Sequence, residues 1–371
     1  MIRVCEPLIG QRELELVTEC LKSGWVGSQG EFIPRFEQAF ARYCGCAYGI
    51  ATTSGTTGLH LAFRALGIGP GDEVIIPAFT MAATALAVVY TGARPVLVDA
   101  EPQTWNMDPA QIEARITGRT KAIVPVHLYG HPCDMAPILG LAEKYELYVV
   151  EDAAEAHGAL YRGQRVGGLG DMGCFSFYAN KIITTGEGGM VVTGNPALAE
   201  KMRSLKNLAM SPEKHFVHIE VGYNYRMTNV AAAIGLAQFE RIDELVERRR
   251  RNARLYNERL QNTARLRLPL EQPWARSVYW MYSILLEDGS ALSRDGLMAT
   301  LAQKGIETRS LFVPMHQQPV FLNMGLFKGE HYPVAEDLAR RGLYLPSGPG
   351  LTETDIDYIC HQLKSIPERH H

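Results

Sequence analysis

The sequence has no long apolar run, no surplus of positive charge and no disulfide pattern. Its longest apolar tract, Met81–Tyr90, is alanine-rich and about ten residues long, half of what a bilayer-spanning helix needs, so a buried core helix is expected there. Lys and Arg total 37 against 40 Asp and Glu, and a net charge of −3 argues against a protein whose business is coating phosphate backbones. The opening Met1-Ile2-Arg3-Val4-Cys5-Glu6 lacks a basic region followed by an apolar stretch, so no secretory signal is expected. Seven cysteines, an odd count without framework spacing, fit a reduced, cytoplasmic setting. Internal repeats, low-complexity segments, P-loops and nucleophile elbows are missing too. His370 and His371 read as the remnant of an expression tag and are set aside.

What the chain does have is glycine: 35 in 371 residues, above the ~7% average and without a linker-like period, alongside 20 prolines. With 46% hydrophobic residues there is ample material for a core, and the length suggests two domains at ~150 residues each. Short β-branched runs read as strands near Ala47–Thr52, Glu73–Pro77, Pro95–Asp99, Ala122–His127, Leu147–Glu151, Gly173–Tyr178 and Gly189–Thr193. Helical patterns fall between the earlier ones, at Thr56–Ala65, Met81–Tyr90, Pro109–Ile116 and Met135–Lys144. Such alternation implies an α/β fold with a mostly parallel, seven-stranded sheet covered on both faces. From Thr228 to Leu260 the pattern is one or two long helices, followed by a strand at Tyr279–Leu286, a helix from Arg294 to Lys304 and irregular sequence. A large domain over residues 1–240 and a smaller C-terminal α/β domain over 241–369 are expected, with 370–371 as the tag remnant. The arginine run Arg248–Arg251 reads as a solvated helix face, since Glu240, Asp243, Glu244 and Glu247 just upstream supply opposite charge.

Two motifs fail on context. Gly168-x-Gly170-x-x-Gly173 matches a dinucleotide-binding pattern, but Cys174–Tyr178 after it reads as a strand where a helix is required. His127, His131 and Cys133 lie close together, yet their spacing does not converge on one centre, so no metal site is expected.

Four other segments fit one chemistry. Thr53-Ser54-Gly55-Thr56-Thr57-Gly58, between a strand and an apolar helix, would expose backbone N–H groups at a helix start, a ready phosphate cradle; an ordinary helix cap is the alternative. Glu151-Asp152 closes an apolar strand, where ligands of such sheets bind; a helix cap competes there too. Lys181 leaves the strand that ends in Ser176-Phe177-Tyr178 and precedes the turn Gly186-Glu187-Gly188-Gly189, a setting that desolvates an amine and suits a Schiff-base lysine. Gly222–Asn229 is a polar-aromatic loop before the long helix. Phosphate cradle, carboxylate and lysine together are what pyridoxal 5'-phosphate requires.

At these residues the sequence resembles the DegT/DnrJ/EryC1/StrS sugar aminotransferases. The most specific pieces are EDAAEAHG (Glu151–Gly158), NKIITTGEGGM (Asn180–Met190) and GYNYRMTN (Gly222–Asn229). The resemblance implies the pyridoxal-phosphate-dependent transferase fold type I, the aspartate-aminotransferase-like one. It implies Lys181 as Schiff-base lysine and proton shuttle, Asp152 at the pyridine nitrogen and Glu155 near the ring hydroxyl. Gly55, Thr56 and Ser176 would hold the phosphate, and Asn224 would reach the phosphate of a neighbouring subunit, making the unit a homodimer. Tyr225, Arg309 and His316 are implied as contacts to the nucleotide sugar. Met81 stands where many relatives stack an aromatic residue on the cofactor ring. Glu155 stands where other branches have glutamine or histidine, which favours a 4-keto over a 3-keto substrate.

Within the group, HLYGHPCDM (His127–Met135) and the segment Ile306–His316 are most similar to the branch that makes GDP-perosamine from GDP-4-keto-6-deoxy-D-mannose. The implied reaction takes the amino group of L-glutamate, leaves 2-oxoglutarate, and uses pyridoxamine 5'-phosphate as carrier, in O-antigen or lipopolysaccharide biosynthesis. UDP- or dTDP-linked keto sugars are the alternative, and a non-catalytic regulatory homologue a more distant one. Sugar dehydratases of the same fold replace the lysine with histidine, so Lys181 argues against them.

Overall fold

The computed structural model describes residues 1–287 and 292–365; the last expected residues of the small domain, 366–369, and the 370–371 remnant lie outside the described residues. Two helices, α1 (Gln11–Ser23) and α2 (Phe32–Tyr43), come first. Then strand and helix alternate through β1 (Tyr48–Thr52), α3 (Gly55–Ala65), β2 (Glu73–Pro77), α4 (Ala82–Tyr90), β3 (Arg94–Val98), β4 (Thr120–Ile123), α5 (Met135–Tyr145) and β5 (Tyr148–Asp152). A short ladder of β6 (Leu160–Tyr161) and β7 (Gln164–Arg165) leads to β8 (Met172–Ser176), β9 (Gly189–Thr193) and α6 (Pro196–Lys206). The seven-stranded sheet has the order β1-β9-β8-β5-β4-β2-β3. From β8 to β3 the pairing is parallel throughout, and β9 runs antiparallel to both its neighbours. Every residue of β2 and β9 is buried, as strands covered on both faces must be.

After α7 (Asn229–Phe239) and α8 (Ile242–Leu260) come β10 (Leu266–Arg267), β11 (Ala275–Arg276), β12 (Tyr282–Leu286), α9 (Arg294–Gln303), β13 (Arg309–Ser310), α10 (Pro319–Asn323), α11 (Pro333–Arg341), β14 (Gly342–Leu345) and α12 (Glu353–Lys364). β10, β12, β14 and β13 form an antiparallel sheet over a second core that includes Tyr256, Ile284, Leu297, Leu343 and Ile356. α8 serves both cores: Ile242, Leu245 and Val246 pack into the first, Ala253, Tyr256 and Leu260 into the second. The chain start lies on the C-terminal sheet as well, with Ile2 bridged to Ile306 and the Val4 carbonyl accepting from Ser347 N at 2.8 Å. Among the described residues no helix is long and apolar enough to cross a membrane.

Several expectations need correction. The helix expected at Pro109–Ile116 is two 3₁₀ turns, Pro109–Gln111 and Glu113–Arg115, each too short to build an α-helical ladder. The strand expected at Ala122–His127 ends at Ile123, two residues before Pro125, which has no N–H for a ladder. The strand expected from Tyr279 begins at Tyr282, because Tyr279 has φ +47° and cannot continue an extended segment. The sequence after Lys304 is not irregular, since β13, α11, β14 and α12 lie there. Helices α1 and α2 have no counterpart among the expected elements; Leu14 and Leu21, exposed off the buried face of Leu16 and Cys20, blur the period of α1, and Pro34 stands in the first turn of α2, where it is tolerated but masks the helical pattern. The arginine run is a solvated face only in part: Arg248, on Glu244 at 2.9 Å, and Arg251 are exposed as expected, whereas Arg249 is 1% exposed and Arg250 pairs with Glu271 at 2.6 Å.

The glycine turn before β8 does have its physical reason. Fully buried Glu151 accepts from the amides of Gly167, Leu169 and Gly170 at 2.6–2.8 Å and from His127 Nε2 at 2.9 Å. Glu151 is thus an anchor for the turn that feeds β8, and His127 is taken up in the same network. The neighbouring Asp152 is left to face the cleft.

Candidate active site

The carboxyl ends of β1, β5 and β8 open on a cleft of about 1100 Å³, its mouth included. One wall is the start of α3. Ser54 caps it: Ser54 Oγ accepts from Thr57 N at 3.1 Å and Ser54 N donates to Thr57 Oγ1 at 3.0 Å. The first N–H groups of a helix have no intrahelical partner and sit at the positive end of its dipole. Gly55 brings this end against Ser176: a Cβ on Gly55 would lie 2.9 Å from the Ser176 Cβ. Gly189 allows β9 to pass the same turn, since a Cβ there would sit 2.3 Å from Ser54 O. Two of the surplus glycines are therefore required by close approach at one anion-binding corner.

Asp152 ends β5 and is buried. Its Oδ2 accepts from Thr84 Oγ1 at 2.8 Å and its Oδ1 from Ala154 N at 3.2 Å. Burial pushes its pKa up, against the pull of these hydrogen bonds and of Lys181. Glu155 is buried too, accepting from Tyr129 N at 2.8 Å, and burial pushes it up to about 7 against the opposing pull of Lys181. A carboxyl whose folded pKa is raised contributes stability below its unfolded pKa and loses it as pH rises through the folded value. Ionised Glu155 thus costs the cofactor-free fold about 3 kcal/mol above pH 7, and less than about 1 kcal/mol at pH 5. Denaturant unfolding of cofactor-free Glu155→Gln should accordingly give a protein more stable than the wild type at pH 8, with the gain fading at pH 5. A gain independent of pH would show that Glu155 is not a strained carboxylate.

Lys181 follows a turn in which its N–H donates to Tyr178 O at 2.9 Å. Its Nζ lies 3.7 Å from the centroid of the Trp280 ring and 3.7 Å from Glu155 Oε1. Burial lowers its pKa, with Glu155 and Asp152 pulling the other way. The preceding residue is pinned, because the Asn180 carbonyl accepts from Trp280 Nε1 at 2.8 Å.

Gly55, Thr56, Met81, Asp152, Glu155, Ser176 and Lys181 all line this one cleft. Met81 is the N-cap residue of α4 and 53% exposed. The other four candidates lie elsewhere. Asn224 is exposed and bridges Asn207. The Tyr225 hydroxyl and His60 Nδ1 share a hydrogen bond of 3.0 Å, and Arg309 is exposed and paired with Glu307 at 3.1 Å. His316 is buried on Glu336 at 2.9 Å. Sequence reasoning missed Thr84, Trp280, Phe312, Tyr344 and the buried Arg249 as site residues, although all but Tyr344 lie within segments singled out for other reasons: Met81–Tyr90, Tyr279–Leu286, Ile306–His316 and the arginine run.

The residues present fit pyridoxal phosphate. An anion corner, a buried carboxylate with its oxygens aimed by Thr84 and Ala154, and a desolvated amine share one cleft, and Asn180 Oδ1 beside them is buried without a hydrogen-bond partner among the described residues. Comparisons with known proteins agree. Over 366 residues, 98% of each chain, the sequence is 48% identical to a GDP-perosamine synthase of Caulobacter vibrioides. It is 44% identical to another of Escherichia coli O157:H7, again across 98% of both chains. The fold matches the PLP form of a Streptococcus pneumoniae sugar aminotransferase with a TM-score of 0.93, at 28% identity over 98% of both chains. Residues 7–364 match the DegT/DnrJ/EryC1/StrS aminotransferase family, and the chain belongs to it.

Proposed function

We propose that this member of the DegT/DnrJ/EryC1/StrS aminotransferase family moves the amino group of L-glutamate to C4 of GDP-4-keto-6-deoxy-D-mannose, giving GDP-perosamine. The observation that carries the site is Lys181 Nζ, desolvated between Glu155 and the Trp280 ring in the cleft that also holds Asp152 and the start of α3. The sugar is supported by the GDP-perosamine synthase relatives, which match end to end.

Pyridoxal phosphate, when bound, supplies an aldehyde that condenses with amines and a pyridinium ring that draws electrons from the adjacent carbon. The amides of Gly55 and Thr56 with Ser176 Oγ would bind its phosphate. Asp152, with Thr84 holding Oδ2, would keep a proton on the ring nitrogen, whose positive charge in turn keeps the carboxylate ionised despite burial. Lys181 Nζ would hold the aldehyde carbon, and as a free amine it would take the proton from glutamate Cα and hold it for return to the cofactor carbon beside the amine nitrogen. Its burial favours the neutral amine, the form that can act as base. Glu155 would hold Nζ in reach when that amine is protonated. Trp280, Phe312 and Tyr344 line the same cleft and would keep water from the amine once a cofactor fills it.

The working unit in this reading is a cytoplasmic homodimer. Asn224 is exposed outside its own chain's cleft, and Phe216, Ile219 and Val221 nearby are 77%, 62% and 76% exposed, a surface suited to a second copy. Incubating the holoprotein with glutamate and GDP-, UDP- or dTDP-linked 4-keto-6-deoxy sugars, read by mass spectrometry, tests the substrate. Amination of the GDP sugar is expected. Preference for a UDP or dTDP sugar would overturn the nucleotide, and no amination of any would overturn the reaction.

A further inference from the structure

Arg249 is a buried cation with no carboxylate partner among the described residues. It sits on α8 at 1% exposure, and its hydrogen-bond partners are four main-chain carbonyls and one thiol. Nη1 donates to Trp280 O at 2.5 Å and Ser347 O at 3.2 Å. Nη2 donates to the carbonyls of Asn180 and Lys181, and to Cys5 Sγ, all at 3.3 Å. Burying an ion without a counter-ion is costly, and an apolar side chain of similar length would fill the space more cheaply. The guanidinium fork, however, reaches several acceptors in fixed directions, which neither lysine nor methionine can do.

Those acceptors are not scattered. Asn180 and Lys181 are the residues that deliver the amine, and Trp280 carries the ring 3.7 Å from Nζ. Ser347 follows the C-terminal strand β14, and Cys5 belongs to the chain start that lies on the same sheet. One side chain thus ties the lysine segment, the aromatic wall beside its amine and the C-terminal part of the chain to one helix.

We propose that Arg249 is a positioning residue for Lys181: by gripping the carbonyls of Asn180, Lys181 and Trp280 it sets where Nζ stands relative to the cofactor aldehyde and the substrate Cα. The inference rests on the proposed role of Lys181. Displacing an attacking group by about 1 Å costs on the order of 10²-fold in rate, so the effect belongs on kcat and on the rate of cofactor capture, and not on substrate affinity.

The test uses full-length protein stripped of cofactor. Capture of added pyridoxal phosphate is followed by its absorbance and by borohydride fixation with peptide mapping, and the reloaded protein is assayed with glutamate and keto sugar. Arg249→Lys, which keeps the charge but not the fork, should fold yet capture the cofactor at least about tenfold more slowly. It should also lose kcat, with KM for glutamate within about twofold of the wild type. Capture and kcat equal to the wild type, or a loss confined to KM, would overturn the proposal. Arg249→Met, which fills similar space with an apolar chain and removes both the buried charge and the fork, carries the test should Arg249→Lys fail to fold. Capture at least about tenfold slower than in the wild type is expected there too, and capture within about threefold of the wild type would overturn the proposal. A wild-type protein that fixes no cofactor at Lys181 refutes the proposed function; one that does, with an indifferent Arg249→Lys, refutes only this inference.

Discussion

Lys181→Ala is expected to lower glutamate-dependent amination by at least about 10³-fold, in line with the 10²–10⁴ attributed to a positioned acid–base group together with loss of the covalent tether. The fold should survive the change. Nζ is a desolvated amine whose charged form is disfavoured by burial, and it lines an open cleft instead of filling a core. The melting temperature of the cofactor-free variant should therefore stay close to that of the wild type, while added pyridoxal phosphate no longer becomes fixed by borohydride. Steady-state rates alongside thermal melts separate the two effects. Activity within tenfold of the wild type would remove Lys181 from the reaction.

Asp152→Asn should cost about 10²–10³-fold in kcat, the range seen when one preorganised electrostatic partner is lost from a water-poor site. Asparagine keeps the shape and can still accept from Thr84 Oγ1, which in the wild type lies 2.8 Å from Oδ2. It cannot hold a proton on a ring nitrogen, because its amide carries no negative charge. The deficit should fall on kcat with KM for glutamate little changed, and Asp152→Glu should recover part of it if the longer side chain still reaches. Equal activity of wild type and Asp152→Asn would mean that the ring nitrogen needs no carboxylate here.

The central sheet was legible because its strands are short apolar runs punctuated by helical periods, so Glu73–Pro77 and Gly189–Thr193 coincide with the strands observed. Boundaries failed where a single residue overrides the run, as Pro125 and the left-handed Tyr279 do. The cleft residues were legible for a different reason. Gly55, Asp152 and Lys181 each end or follow a strand, so a local reading of strand ends already gathers them. Trp280 and Arg249 were not, because their surroundings are assembled from positions far apart in sequence: the partners of Arg249 are residues 5, 180, 181, 280 and 347. In sequence it is one of four arginines in a charged helix; only the tertiary packing makes it a buried clamp.

Borohydride reduction of the holoprotein followed by peptide mapping addresses the central claim most directly. A single pyridoxyl modification on Lys181, lost when the protein is first treated with glutamate, is the expected result. A cofactor fixed on any other lysine, or a protein that binds none, would contradict the site from which everything else here is built.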